Sequence, residues 1–195
     1  MGLTYRNIDL ATAPDAIEAL AQLRITVFRE WPYLYDGDLE YERSYLRPYA
    51  KSRACIIVGA YDGDRLVGAA TGTPLEDHAD DLVEAAAKLS IPASDIFYCA
   101  ESVLLADYRG QGAGHKFFDE REDHARRIGR DWSLFCAVER DSNHPLKPDN
   151  HRDLGSFWTR RGYQPVKDVF TTLNWKDVDE AAKSDKRLEV WLKRL

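Results

Sequence analysis

A chain of 195 residues, 44% hydrophobic and 31% charged, has the size and balance of one soluble globular domain with a substantial core. Its formal net charge of -6 disfavours nucleic acid or acidic membranes as main partner and suits a small cationic molecule. No apolar run is long enough to span a bilayer, and Met1 to Asp9 lacks the basic start and apolar block of a secretory leader.

In chain order, residues 3–10 read as a first strand. Thr12 then offers an N-cap, with Pro14 and Asp15 in the first turn. Ile17, Leu20, Leu23, Val27 and Phe28 follow at near-helical spacing, and the helix should stop before Pro32. Residues 39–50 look like a second helix after the turn Asp36-Gly37-Asp38. Residues 54–61 and 66–73 flank Asp62-Gly63-Asp64, a hairpin signal. A helix over 77–89 closes before Pro92, and 96–105 is a strand. The spacing predicts a helix over 112–128, with Ala113, Phe117, Phe118, Ala125 and Ile128 as its apolar side and Gly129 as its C-cap. On its wet face Glu122 should meet Arg126, and Asp123 should meet Arg127. Residues 132–138 form another strand, 154–161 a short helix ended by Gly162, and 169–175 and 188–195 two closing strands. This order implies an α/β or α+β layered fold in a single domain over residues 1–195. Cys55, Cys99 and Cys136 sit in apolar runs without metal spacing and read as reduced core thiols of a cytoplasmic protein.

The richest segment runs from Glu101 to Gly114, where an apolar strand stops at Arg109-Gly110-Gln111-Gly112-Ala113-Gly114 and a long helix begins. Glycines there clear side chains from the backbone, and a helix start offers unpaired N–H groups and partial positive charge. Such a place cradles a diphosphate. His115 follows Gly114, so neither the P-loop ending nor the sixth-place glycine of the dinucleotide fingerprint is met.

Arg-x-x-Gly-x-Gly over 109–114 resembles motif A of the GNAT superfamily of acyl-CoA-dependent N-acyltransferases. Ser156-Phe157-Trp158-x-x-Arg161-Gly162-Tyr163 is similar to the family's late segment, and the element order agrees apart from an extra helix after the hairpin. Ala106 stands where the family often has proline. The overall pattern is closest to bacterial members without a defined substrate. The resemblance implies a mixed, mostly antiparallel sheet flanked by helices on both faces, with the central strand at 102–105 splaying away from the strand at 134–138. It implies acetyl-CoA as cofactor, without a metal. The main-chain amides of Gln111, Gly112, Ala113, Gly114 and His115, together with Arg109 and Gly110, would hold the diphosphate. Val103, Leu104 and Leu105 would pair with the pantetheine arm.

Acetyl transfer to an amine by direct attack, through a tetrahedral intermediate, has three needs. The ammonium must lose a proton, the oxyanion needs a donor, and the leaving thiolate needs a proton or a polarising group. The resemblance puts the donor on a main-chain N–H of residues 102–105. Glu101 is the candidate base, the only carboxylate within the apolar strand. It reads equally as a glutamate at an edge, facing solvent, or paired with an arginine. Trp158 occupies the place where many family members carry an acidic tyrosine, and an indole cannot transfer a proton near neutrality. Tyr163, His151 and Tyr98 are the substitutes, although Tyr163 also fits a core position.

Two segments compete to define the acceptor. Trp31, Tyr33 and Tyr35 interleave with Glu30, Asp36 and Asp38, a mixture suited to a cationic amine; the other reading is a polar turn with its aromatics packed underneath. Residues 139–153 are long for a connection and would cover the acceptor or build a dimer contact. His144 and His151 lack a third metal ligand, and His78, His115 and His124 read as surface residues. Trp175, Trp191, Leu188, Val190 and Leu192 read as core or subunit interface, and exposed edge strands would allow a homodimer. The expected activity is N-acetylation of a primary amine on a small cationic molecule. The alternatives are protein N-terminal or lysine acetylation and a non-catalytic acyl-CoA sensor.

Overall fold

A computed structural model describes residues 2–52, 54–77 and 80–195. Among these, seven strands form one sheet: β1 (Thr4–Asn7), β2 (Ile56–Asp62), β3 (Arg65–Pro74), β4 (Ile96–Leu104), β5 (Trp132–Val138), β6 (Gln164–Trp175) and β7 (Ser184–Arg194). Their order is β1-β2-β3-β4-β5-β7-β6, and only β4 and β5 run parallel. The helices are α1 (Ala16–Phe28), α2 (Leu39–Leu46), α3 (Asp80–Ala87), α4 (Ala113–Arg127) and α5 (Gly155–Arg160). Strand alternation assigns them to faces. Ile56, Val58 and Ala60 pack with Phe117 and Phe118 of α4, while Ile57 between them packs with Leu20 and Leu23 of α1 and Leu46 of α2. α3 covers Ile96, Leu134 and Val190. The expected mixed sheet between helical layers is what the chain forms.

One irregularity creates the functional geometry. Thr71 of β3 faces Glu101 of β4, but Thr73 faces Tyr98. β4 therefore carries one extra residue across Cys99 and Ala100, a bulge. Its first consequence is divergence. β4 pairs with β5 only from Ile96 to Tyr98, whereas β5 stays paired with β7 as far as Val138. Its second is parity, because side chains alternate between faces. The extra residue keeps Tyr98, Glu101 and Val103 on the α1 face, while Phe97, Cys99 and Leu104 face α4.

The bulge also frees carbonyls that need donors. Arg121 of α4, 1% exposed, supplies them. Its Nη1 donates to the Thr71 and Glu101 carbonyls at 3.1 and 2.9 Å, and its Nη2 donates to Ser102 Oγ at 2.9 Å. Arg121→Met would strand buried acceptors and is expected to cost on the order of 3 kcal/mol. Urea melts should show the midpoint falling at constant slope. A loss below about 1 kcal/mol would contradict this role.

Several local expectations change. β1 is shorter than 3–10, and Asp9 turns the chain by accepting the Ala11 N–H on its side chain and the Ala13 N–H on its carbonyl. α1 consequently starts at Ala16 without a side-chain cap, not at Thr12. α2 is capped by Asp38, whose carboxylate accepts the Tyr41 N–H at 2.9 Å, and tightens into a 3₁₀ turn at Arg47–Ala50. Glu122 meets Arg126 at 3.8 Å as expected, but it is not on a wet face. α5 and β7 cover that side of α4, so its carboxylate is buried against Lys193 at 2.6 Å, Arg161 at 3.1 Å and the Tyr163 hydroxyl at 3.2 Å. Asp123 pairs with Arg126, not with the Arg127 guanidinium, whose Nε donates to the Asp123 carbonyl. His115 is exposed, but His124 is half-buried against Phe97, with Nε2 2.9 Å from the Ala54 carbonyl. His78 lies outside the described residues. Cys99 and Cys136 are buried free thiols, and Cys55 is half-buried.

Candidate active site

The divergence of β4 from β5 leads into the glycine-rich turn. Leu105 N–H still donates to the Val67 carbonyl at 3.0 Å, and a 3₁₀ turn at Ala106–Tyr108 carries the chain to Arg109. Gly110 and Gly112 have φ of 78° and 86°, left-handed values that favour glycine. Gly112 is the N-cap of the 15-residue helix α4. The main-chain N–H groups of Gln111, Gly112, Ala113 and Gly114 donate to no group among the described residues. The His115 N–H instead turns back to the Gly112 carbonyl at 3.0 Å. Among the described residues, no atom beyond the chain neighbours lies within 4 Å of a Cβ built at Gly110 or Gly112, while one at Gly114 would stand 3.3 Å from the Phe157 ring. Four unpaired N–H groups, a helix N-terminus and clear space fit a diphosphate. Arg109 stands beside them. Its Nε donates to the Leu104 carbonyl at 3.1 Å, and its other arm pairs with Glu30 at 2.8 Å.

On the α1 face of the gap lies a buried charged cluster. Arg24 of α1 pairs through Nε with Glu42 of α2 and through Nη1 with Glu101 of β4. Glu42 is 0% exposed and Glu101 9%. The Tyr45 hydroxyl donates to Glu101 Oε2 at 2.9 Å. Of the readings open for Glu101, the structure has it buried and paired with an arginine. Burial works against the Arg24 charge, but Glu101, Tyr45 and Glu42 outweigh it and hold the guanidinium pKa well above its ordinary value. Burial pushes the Tyr33 phenol up to about 12 and those of Tyr45, Tyr49 and Tyr98 upward too, with the Glu101 charge adding to each. These phenols stay protonated at neutral pH. Burial likewise raises the Cys136 thiol to about 12, so it is no nucleophile.

The aromatic segment after α1 divides. Tyr33 packs on Phe28 and Trp175, its ring centroids 4.5 and 5.9 Å from theirs, and its phenol is buried. Tyr35 bridges to Asp177, and burial followed by the Glu42 charge raises its pKa; it fits the packed-turn reading. Trp31 is half-buried between His144 and His151, with centroids 5.4 and 5.9 Å away. Residues 139–153 thus reach the segment, and Arg140 anchors the contact by donating to the Pro32 carbonyl at 2.7 Å while pairing with buried Asp177. The acids are engaged: Glu30 with Arg109, Asp36 with Lys176 and Arg29, and Asp38 as a helix cap.

Trp158 packs its ring on Phe135 and Trp191. Tyr163 is fully buried, its hydroxyl 2.7 Å from Ser133 Oγ and 3.2 Å from Glu122. It lies in the α4-side core, so it cannot serve the cluster at Glu101. Tyr98 stands at the last β4–β5 pair, on the same face as Glu101. Among the described residues, no group of three or more His, Cys, Asp or Glu side chains could hold a metal.

The sequence model of the Acetyltransferase (GNAT) family matches residues 18–163. No curated protein matches the sequence. Among solved structures, the chain is similar to the PaiA N-acetyltransferase of Thermoplasma acidophilum in complex with coenzyme A, at TM-score 0.59 and 13% identity over 100% of both chains. It is also similar to a GCN5-related N-acetyltransferase from Kribbella flavida, at TM-score 0.58 and 18% identity over 100% of this chain and 98% of that one. An aminoglycoside 6'-N-acetyltransferase complexed with coenzyme A aligns at TM-score 0.62 and 16% identity, over 98% and 96% of the two chains.

Proposed function

Because the chain belongs to the GNAT family of acetyltransferases and is an acetyl-CoA-dependent acyltransferase, we propose that it acetylates the primary amine of a small cationic molecule. The observation that carries this reading is the gap between β4 and β5, with open amides at its mouth and buried Glu101 on its wall. When bound, acetyl-CoA supplies a thioester as the electrophile. Gln111, Gly112, Ala113 and Gly114 grip its diphosphate through main-chain N–H groups, with His115 at the edge of the cradle and Arg109 beside it. Val103, Leu104 and Leu105 guide the pantetheine arm along β4, where β5 no longer supplies a strand partner. Glu101 takes the proton of the ammonium. Tyr98, held protonated by burial, offers its hydroxyl to the leaving sulfur. Trp31 and Tyr33 border the acceptor, with Tyr35 beneath them.

The same reading takes residues 1–195 as one acyltransferase domain working in the cytoplasm, in keeping with three free thiols. Edge strand β6, with Phe170 39% and Leu173 37% exposed, supports a homodimer. Trp158 in the place of an acidic tyrosine supports a second reading, a non-catalytic acyl-CoA sensor.

One assay separates the alternatives. The protein with acetyl-CoA should release free thiol when small diamines or aminosugars are added. Release only with peptides would assign protein N-terminal or lysine acetylation. Cofactor binding without turnover on any amine would leave the sensor.

Glu30 adds a prediction of definite sign. Its carboxylate competes with a diphosphate for Arg109 and repels it. Glu30→Gln is therefore expected to tighten coenzyme A about threefold at low salt, and the gain should shrink in half-molar salt. Weaker binding of coenzyme A by the variant would place the diphosphate elsewhere.

A further inference from the structure

Glu42 is sealed from solvent, yet it is joined to Glu101 through a single guanidinium. We infer that Glu42 is a positioning residue for proton transfer. It occupies one arm of Arg24, so that Glu101 keeps a carboxylate charge left over for the acceptor's ammonium. The inference rests on the proposed role of Glu101.

On the α1 face of the gap, two carboxylates meet one guanidinium, leaving one negative charge in a buried setting. The other groups facing Glu101 are phenols: Tyr45 and Tyr49 from the α2 end, Tyr33 from the segment after α1, and Tyr98 from β4. The Cys136 thiol of β5 adjoins Tyr33 and Tyr98. Burial keeps all of these neutral at pH 7. From the α4 side Arg121 reaches the main chain here, but its donors go to carbonyls and Ser102 Oγ. With Glu42 neutral, Arg24 and Glu101 would form a balanced buried pair, and a carboxylate so paired resists protonation. With Glu42 charged, the guanidinium is shared, and the cluster gains from a proton or a cation. Glu42 is closed off beside Tyr35. Glu101 is the member that borders the gap, so proton and ammonium arrive there.

The test is the pH dependence of kcat/KM in Glu42→Gln, which keeps shape and hydrogen-bonding capacity. The acid limb should move down by about one pH unit, and the neutral-pH rate should fall about tenfold as the base weakens. Coenzyme A affinity should hold. Because the variant leaves a balanced pair, its melting temperature should not drop. The double variant Arg24→Gln/Glu42→Gln removes one charge of each sign and should bring the acid limb back toward wild type; it carries the test if the single variant does not fold. An unmoved acid limb in Glu42→Gln, or a double variant slower than the single one, would overturn the inference and leave Glu42 a structural ion-pair partner. Glu101→Gln measured in parallel keeps the two claims apart. If that variant retains full kcat, the role of Glu101 itself fails. If it loses kcat while Glu42→Gln keeps the wild-type profile, only the role of Glu42 fails.

Discussion

Gly112→Val is expected to weaken coenzyme A binding at least about a hundredfold while the protein still folds. Gly112 sits at φ 86° as the N-cap of α4. A β-branched residue there costs about 1–2 kcal/mol of backbone strain, which a domain of this size tolerates. Among the described residues, nothing beyond its chain neighbours lies within 4 Å of the new Cβ, so the core is undisturbed. The side chain instead enters the open space beside the glycine-rich turn. It would both exclude a diphosphate and turn the Gly112 and Ala113 N–H groups off target. Calorimetry should show a loss of at least about a hundredfold, on the order of 3 kcal/mol, from the excluded diphosphate and its lost charge-assisted hydrogen bonds. Thermal melting should still report a cooperative transition. An affinity within a few-fold of wild type would mean that the helix entrance does not hold the cofactor.

Glu101→Gln is expected to lower kcat by roughly a hundred- to a thousandfold, with coenzyme A affinity within about twofold of wild type. Glutamine keeps the shape and can still accept from Tyr45. Arg24 keeps Glu42 as a counter-charge, so the change removes a proton acceptor without leaving a buried cation alone. The acid limb of the pH–rate profile should vanish with it. Stopped thiol-release assays across pH, with acceptor saturating, provide the readout. An unchanged kcat at every pH would assign proton removal to another group or to water.

The glycine-rich entrance was legible because its demands are local. Positive φ, cleared side chains and a helix start all show as residue types at fixed spacing, and Arg109 to Gly114 displays them together. The hairpin at Asp62-Gly63-Asp64 and most strand positions were legible for the same reason. The bulge at Cys99 and Ala100 was not, because it exists only relative to β3, and it decides which way Glu101 points. The charged core was missed for a different reason. Arg24 lies one turn from Leu20 and Phe28, Glu42 one turn from Leu46, and Arg121 one turn from Phe117 and Ala125. A lone charge inside an apolar helical stripe is the signal of a buried partner, and Arg24 and Glu42 answer each other. Glu122 was misread because i,i+4 pairing with Arg126 is a sufficient local account, while the Lys193 and Arg161 that bury it come from distant β7 and the end of α5. The aromatic segment was half legible: its chemistry was visible, but Arg140 and Asp177, which pin it in place, lie over a hundred residues away in the chain.

All of this depends on backbone nitrogens before α4 capturing a diphosphate at the mouth of the β4–β5 gap. Titration calorimetry of the unmodified protein with coenzyme A addresses that most directly. One site per chain is expected, with a micromolar dissociation constant that weakens as salt is raised. Absence of any heat at millimolar coenzyme A would contradict it.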